Sequence, residues 1–165
     1  MGNLMIFITL GSQKFQFNRL LKSVDLLVES GKITDEIFAQ IGYSDYEPKN
    51  YRFKQFLDRD EFADVTAKSD IVITHGGTGA IIGAVKKRKK VIAVPRRAQF
   101  GEHVDDHQLQ LVGQFKELNL ICECDDCEKM DEALNEIKEI KFNSYQSTTQ
   151  TIIDSIEKFI LEEVK

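Results

Sequence analysis

Short, unbroken apolar runs alternate with stretches of helical periodicity along this chain, and that alternation narrows the fold more than any other feature. Met5–Leu10 (MIFITL) is apolar almost throughout, as a strand buried on both faces must be. Gly11-Ser12-Gln13 ends it. Phe17, Leu20, Leu21, Val24, Leu27 and Val28 then recur at three- and four-residue spacing, which predicts a helix with one buried face, closed by Gly31. Glu36–Ile41 reads as a second strand and Asn50–Lys54 as a short third. Arg59–Ser69 reads as a helix, with Asp58 offering its N-cap. The pattern continues with a strand at Asp70–Thr74, a helix at Thr78–Lys87, a strand at Val91–Pro95 and a helix at Glu102–Glu117. A sixth strand at Leu120–Cys122 and a helix at Lys129–Glu139 follow. Ser144–Val164 closes the chain as a long amphipathic helix carrying Ile152, Ile153, Ile156, Phe159, Ile160 and Val164.

Strand and helix in turn predict a parallel sheet with right-handed crossovers. The expected architecture is α/β: one Rossmann-like domain over residues 1–165, with a six-stranded, mostly parallel sheet and helices on both faces. Met5 is a second plausible start, so residues 1–4 read as a leader. A chain of 165 residues buries about 70 % of its unfolded surface and needs no metal or disulfide to fold. In such sheets ligands bind at the carboxyl ends of the strands, where strand order reverses. With the usual 3-2-1-4-5-6 order, Gly11–Lys14 and His75–Gly79 face each other across one crevice.

Charge and cysteine usage remove several classes. Lys and Arg number 22 against 27 Asp and Glu, a net charge of −5, which argues against a nucleic-acid partner. No apolar run approaches the ~18 residues of a membrane span, and the start lacks the basic segment of a signal peptide. Cys122, Cys124 and Cys127 are odd in number and clustered, which fits a reducing, cytoplasmic setting. CxCxxC offers three zinc ligands where a structural site wants four, so these cysteines read as packing residues and no metal is expected.

Chemistry concentrates in three loops. His75-Gly76-Gly77-Thr78-Gly79 follows the fourth strand and opens a helix. Glycines let a ligand approach the backbone, and the unpaired N–H groups of a helix start suit an anion such as a diphosphate. The loop is neither GxGxxG nor GxxxxGK[ST], so dinucleotide binding and P-loop hydrolysis lose support. Gly11, Ser12 and Gln13 follow the first strand; Ser12 and Gln13 can hydrogen-bond a phosphate or a sugar hydroxyl, although the same residues also suit an ordinary turn. The third loop follows the fifth strand. Its Arg96 and Arg97 can pair with phosphate oxygens, and its Asp106 and Gln108 can hold sugar hydroxyls. His103 and His107 are four apart and would share one helix face, a spacing that also suits a metal, but no HExxH pattern accompanies them.

The arrangement THGGTG…VIAVPR…EHVDDHQ resembles the nucleotide-sugar-binding half of GT-B glycosyltransferases of the MurG-like class, glycosyltransferase family 28. It is most similar to small single-domain members, the Alg13-like catalytic subunits of two-component glycosyltransferases. The resemblance runs from Ile6 to the last helix, with Asp106-His107-Gln108 its sharpest short match. It implies a UDP-sugar donor bound without metal or other cofactor. Gly76, Gly77 and Gly79 would admit the diphosphate, Gln108 and Asp106 would contact the transferred sugar or the β-phosphate, Ser12 would line the opposite wall, and the uracil would lie near Val94–Arg97. Many relatives carry a Glu in the helix after the glycine loop for the ribose; here the position is Gly83, which leaves that contact to Glu102 or to a partner.

The resemblance also implies an Alg14-like, membrane-anchored subunit that supplies the acceptor half and a polyprenyl-diphosphate-linked acceptor. The expected reaction is inverting transfer of a hexose, galactose or glucuronic acid, in capsular or exopolysaccharide synthesis at the inner face of the cell membrane. His75, His103 and the partner's carboxylates are the candidates for general base. Lys86-Lys87-Arg88-Lys89-Lys90 suits either anionic headgroups or the solvated C-terminus of a helix. The alternatives are a non-catalytic regulatory subunit that binds a nucleotide-sugar, or a nucleotide-dependent enzyme unrelated to glycosyl transfer.

Overall fold

The computed structural model describes residues 4–163. Six parallel strands form one sheet in the order β3-β2-β1-β4-β5-β6. They are β1 (Met5–Thr9), β2 (Glu36–Gln40), β3 (Arg52–Lys54), β4 (Ile71–His75), β5 (Lys90–Val94) and β6 (Cys122–Glu123). The order is the one expected, so the reversal lies between β1 and β4. There Thr9 pairs with Thr74 at the carboxyl end, and His75 pairs with Val94 one strand further on.

Each strand sends alternate residues to opposite faces. Ile6, Ile8, Ile71, Ile73, Ile92 and Val94 face helices α1 (Asn18–Glu29) and α5 (Met130–Ile137). Val72, Val91 and Ala93 face α3 (Thr78–Lys86), α4 (His107–Glu117) and α6 (Ser147–Glu163). On that second face α2 (Arg59–Lys68) brings Phe62 edge-on to Phe7, with ring centroids 5.3 Å apart. The periodicity of α1 is realised: Leu20, Leu21 and Val24 are fully buried, each removal from water contributing roughly 1.5–3 kcal/mol. Asp58 does cap α2, its Oδ1 accepting from the Glu61 N–H at 2.8 Å.

Four expectations need correction. The helix expected from Glu102 begins only at His107; Ala98–Phe100 forms a single 3-10 turn, closed by Gly101 at φ +70°. Glu102 is drawn inward to a buried ion pair, and that geometry breaks the helical register. The sixth strand is Cys122–Glu123, because only these residues pair with Ile92 and Ala93. The segment expected as one helix over Lys129–Glu139 is a 3-10 turn at Cys127–Lys129 followed by α5. The last helix, expected from Ser144, begins at Ser147 as α6; in it Ile153 packs against the α4 side of the core, while Ile152 and Phe159 stay exposed. Val164 and the side chain of Ile160 lie outside the described residues, as do residues 1–3 of the leader. Among the described residues no helix is long and apolar enough to cross a membrane.

Candidate functional site

The loops after β1 and β4 meet at the reversal, and the imidazole of His75 fills the space between them. A Cβ on Gly11 would stand 2.7 Å from His75 Nε2, and one on Gly77 would stand 2.3 Å from His75 Cε1. Gly11 also adopts φ +71°, a left-handed conformation that glycine alone takes without strain. Gln108 closes the other side. Its Oε1 accepts from the N–H groups of Gly76 (3.1 Å) and Arg96 (3.0 Å), and its Nε2 lies 3.3 Å from His75 Nδ1. Two N–H donors aimed at one atom fix that atom as the amide oxygen. Nε2 therefore donates, His75 Nδ1 accepts, and the neutral ring carries its proton on Nε2. Burial, and then the positive charge of Arg96, push the His75 pKa down to about 4. A Cβ on Gly76 would meet Gln108 Cβ at 2.7 Å. Three of the loop glycines are thus demanded by packing around His75 and Gln108.

Gly79 is different. It is exposed, and a Cβ there would meet nothing within 4 Å. It lies in the first turn of α3, whose N-cap, Gly77, has no side chain to offer and whose first turn holds no acidic residue. The Ile81 N–H is taken by the Gly77 carbonyl at 3.1 Å. The N–H groups of Thr78, Gly79 and Ala80 precede the first intrahelical bond and leave an uncapped, partly positive helix start. Ser12 is exposed, and Gln13 Oε1 is buried with no hydrogen-bond partner among the described residues.

The loop after β5 departs most from expectation. Arg96 is 1 % exposed. Its guanidinium donates to the carbonyls of Leu10 (2.7 Å), Phe15 (3.1 Å), Glu102 (3.2 Å) and Gln16 (3.3 Å) and lies 5.0 Å above the Phe17 ring. Burial lowers its pKa to about 10, so it stays a cation at neutral pH. Glu102, 0 % exposed, takes both its oxygens to Arg19, at 3.0 Å each, and accepts from the Arg97 N–H. Arg97 Nη1 donates to both carboxylate oxygens of Asp125, at 2.9 and 2.8 Å. Of the residues expected on the phosphates and the ribose, Arg96 and Glu102 are engaged inside the protein, and Arg97 pairs with Asp125 at the surface. In the segment expected near the uracil, Val94, Pro95 and Arg96 are buried and Arg97 is half-buried. Gln108, expected on the sugar, is a buried tie between the two loops. Asp106 is exposed, with Oδ1 held by the Ala98 N–H at 2.9 Å. His103 and His107 do not share a helix face; both Nδ1 atoms turn to Asp105 at 3.2 Å. No group of three or more His, Cys, Asp or Glu that could hold a metal ion forms among the described residues. Burial holds the Cys124 and Cys127 thiols at about 12, so neither is a thiolate at neutral pH.

Sequence reasoning passed over two aromatic residues. Tyr43 is 49 % exposed and Phe56 42 %, with rings edge to face at 5.2 Å. They stand on the loops after β2 and β3, which are joined by the Gly42 N–H donating to the Gln55 carbonyl at 2.8 Å. A Cβ on Gly42 would be 3.0 Å from the Gly11 carbonyl oxygen, so this aromatic lip abuts the same crevice. The available signal was an aromatic residue placed just beyond each strand end.

A six-stranded parallel sheet with helices on both faces, and a glycine turn and an uncapped helix start at its reversal, defines a single α/β Rossmann-like domain. The chain belongs to the family of the glycosyltransferase family 28 C-terminal domain, whose model matches residues 5–162. No curated protein sequence matches it. Among solved structures it is similar to MurG of Acinetobacter baumannii (17 % identity, TM-score 0.57), covering 95 % of this chain and 50 % of that one. It is similar to ALG13, solved by NMR (16 % identity, TM-score 0.59), covering 92 % of this chain and 95 % of that one. It is also similar to the calicheamicin glycosyltransferase CalG4 (17 % identity, TM-score 0.60), covering 96 % of this chain and 39 % of that one. The chain spans about two-fifths of the length of CalG4, half that of MurG and nearly all of ALG13.

Proposed function

We propose that this chain is the donor-binding catalytic half of an inverting, UDP-sugar-dependent glycosyltransferase whose acceptor half is an Alg14-like, membrane-anchored subunit. The observation that carries the reading is the open, uncapped start of α3 at the β1/β4 reversal, with exposed Gly79 in its first turn. The diphosphate would sit there, its charge met by backbone N–H groups rather than by a metal. Tyr43 and Phe56 offer the apolar face on which the uracil would stack, and Ser12 and Asp106 the polar groups nearest the sugar. With Glu102 held by Arg19, the ribose contact falls to the acceptor half.

Inverting transfer needs a base on the acceptor hydroxyl. His75 is neutral, buried and hydrogen-bonded, which leaves His103 and the carboxylates of the acceptor half. The product would be a hexose, galactose or glucuronic acid, joined to a lipid-diphosphate-linked saccharide of a capsule or exopolysaccharide. The near end-to-end match to ALG13 supports a half that works with a second subunit. The test is release of UDP from UDP-galactose and UDP-glucuronic acid, in EDTA, by the chain mixed with membranes of the cells that make it. Turnover that needs both components supports the proposal. UDP binding with no turnover in any mixture would make the chain a nucleotide-sugar sensor instead.

A further inference from the structure

Three helices end in the same way, and one of them uses the wrong residue for it. After α1, Gly31 takes φ +79°, with its N–H on the Val28 carbonyl and the Lys32 N–H on the Leu27 carbonyl. After α4, Asn119 takes φ +55°, with the matching bonds to Lys116 and Leu120 to Phe115. After α3, Arg88 takes φ +60°, with its N–H on Val85 and the Lys89 N–H on Ala84. This left-handed closing position favours glycine and then asparagine, because a longer side chain strains it. An observed backbone outlier of this kind is a reason to look for a function.

Arg88 stands at the mouth of a cleft of about 380 Å³ at the amino-terminal end of the sheet, opposite the crevice. Lys89, Lys90 and Lys141 also line it, while Leu120, Ile140 and Phe142 supply apolar wall. Among the described residues no Asp or Glu lines it, in a chain with 27 of them. Two of the cations are partly engaged: Lys89 Nζ donates to the Ala67 carbonyl, and Lys90 Nζ to those of Ile137 and Lys138, each at 3.0 Å. The side chains of Arg88 and Lys141 have no hydrogen-bond or ionic partner among the described residues; only their backbone is engaged, the Lys141 carbonyl accepting from Asn119 Nδ2 at 3.3 Å. A cation at a helix C-terminus is favourable in itself, but Lys86 and Lys87 already supply that charge without strain.

We propose that this cleft is a second binding site, one that takes a phosphate group attached to an apolar body, with Arg88 and Lys141 as its charged contacts. An arginine fork matches a phosphate's oxygens, and the apolar wall covers what the phosphate carries. The site lies a full strand length from the crevice and is independent of the donor reading. Dodecyl phosphate below its micellar concentration, inorganic phosphate and phosphatidylglycerol vesicles are the three probes. Dodecyl phosphate is expected to bind saturably and more tightly than inorganic phosphate. Arg88→Gly is expected to weaken it about tenfold or more while leaving the melting temperature unchanged or raised, since glycine relieves the backbone. Vesicle binding that Arg88→Gly abolishes would assign the phosphate to a lipid headgroup; binding of the soluble ester without vesicle binding would assign it to a soluble phosphate ester. No saturable binding of any probe, or unchanged affinity in Arg88→Gly, overturns the site. Lys141→Met repeats the affinity test without touching the strained position.

Discussion

The two ends of the sheet use cations in opposite ways. At the carboxyl end Arg19 and Arg96 turn inward to Glu102 and to backbone carbonyls, and Arg97 is taken by Asp125. What remains open there is backbone, the start of α3. At the amino end Lys87 and Arg88 are exposed, and the backbone is closed by helix-ending turns. Arginines beside a glycine loop in the sequence suggest phosphate contacts, yet here they fasten the scaffold that aims the N–H groups. Charge type in a sequence names a capacity; burial decides whether it serves a ligand or the fold.

The largest expected effect tests that contrast directly. Arg96→Met removes the donor to four carbonyls and should cost about 3–5 kcal/mol in urea unfolding, whereas Lys87→Met should stay within about 0.5 kcal/mol. Equal costs would erase the distinction between the two ends.

Acid should loosen the carboxyl end through His75. Its pKa falls from 6.5 to about 4 on folding, so between those values the unfolded chain binds the proton and the native chain does not. Stability is then complete above about pH 6.5 and declines as pH falls towards 4, by roughly 3 kcal/mol in all. Unfolding measured across this window should show that slope in the wild type and lose most of it in His75→Gln.

The glycines give a finer division. Gly77→Ala forces a Cβ into the His75 ring and should cost about 1–3 kcal/mol, with UDP binding lost as the loop shifts. Gly79→Ala should leave stability unchanged or raise it by up to about 1 kcal/mol. Matching losses in thermal unfolding would mean the two positions do the same job. Smaller still, Tyr43→Ala should weaken UDP by about 1 kcal/mol, roughly fivefold in Kd, without changing the melting temperature.

The alternation of strands and helices, the glycine loop and the buried face of α1 were legible, because local apolar period and glycine placement carry them; the strand order was the usual one of the fold class, which the sheet adopts. The loop after β5 was not. Arg19 and Glu102 are 83 residues apart, and Arg96 reaches back 86 residues to Leu10, so nothing local reveals that these charges are internal partners. The same distance hid the Gln108 tie to Gly76, 32 residues away. The aromatic lip was missed for a related reason: Tyr43 and Phe56 belong to different loops and face each other only once β2 and β3 pair.

The central claim is that the open first turn of α3 receives the donor's phosphates. Calorimetric titration of UDP into the chain in EDTA, beside Gly79→Val, tests it most directly. Metal-independent, saturable binding that falls about tenfold or more in the variant, at an unchanged melting temperature, is the expected result. UDP affinity that is the same in both proteins, or that appears only when a divalent metal is added, would contradict it.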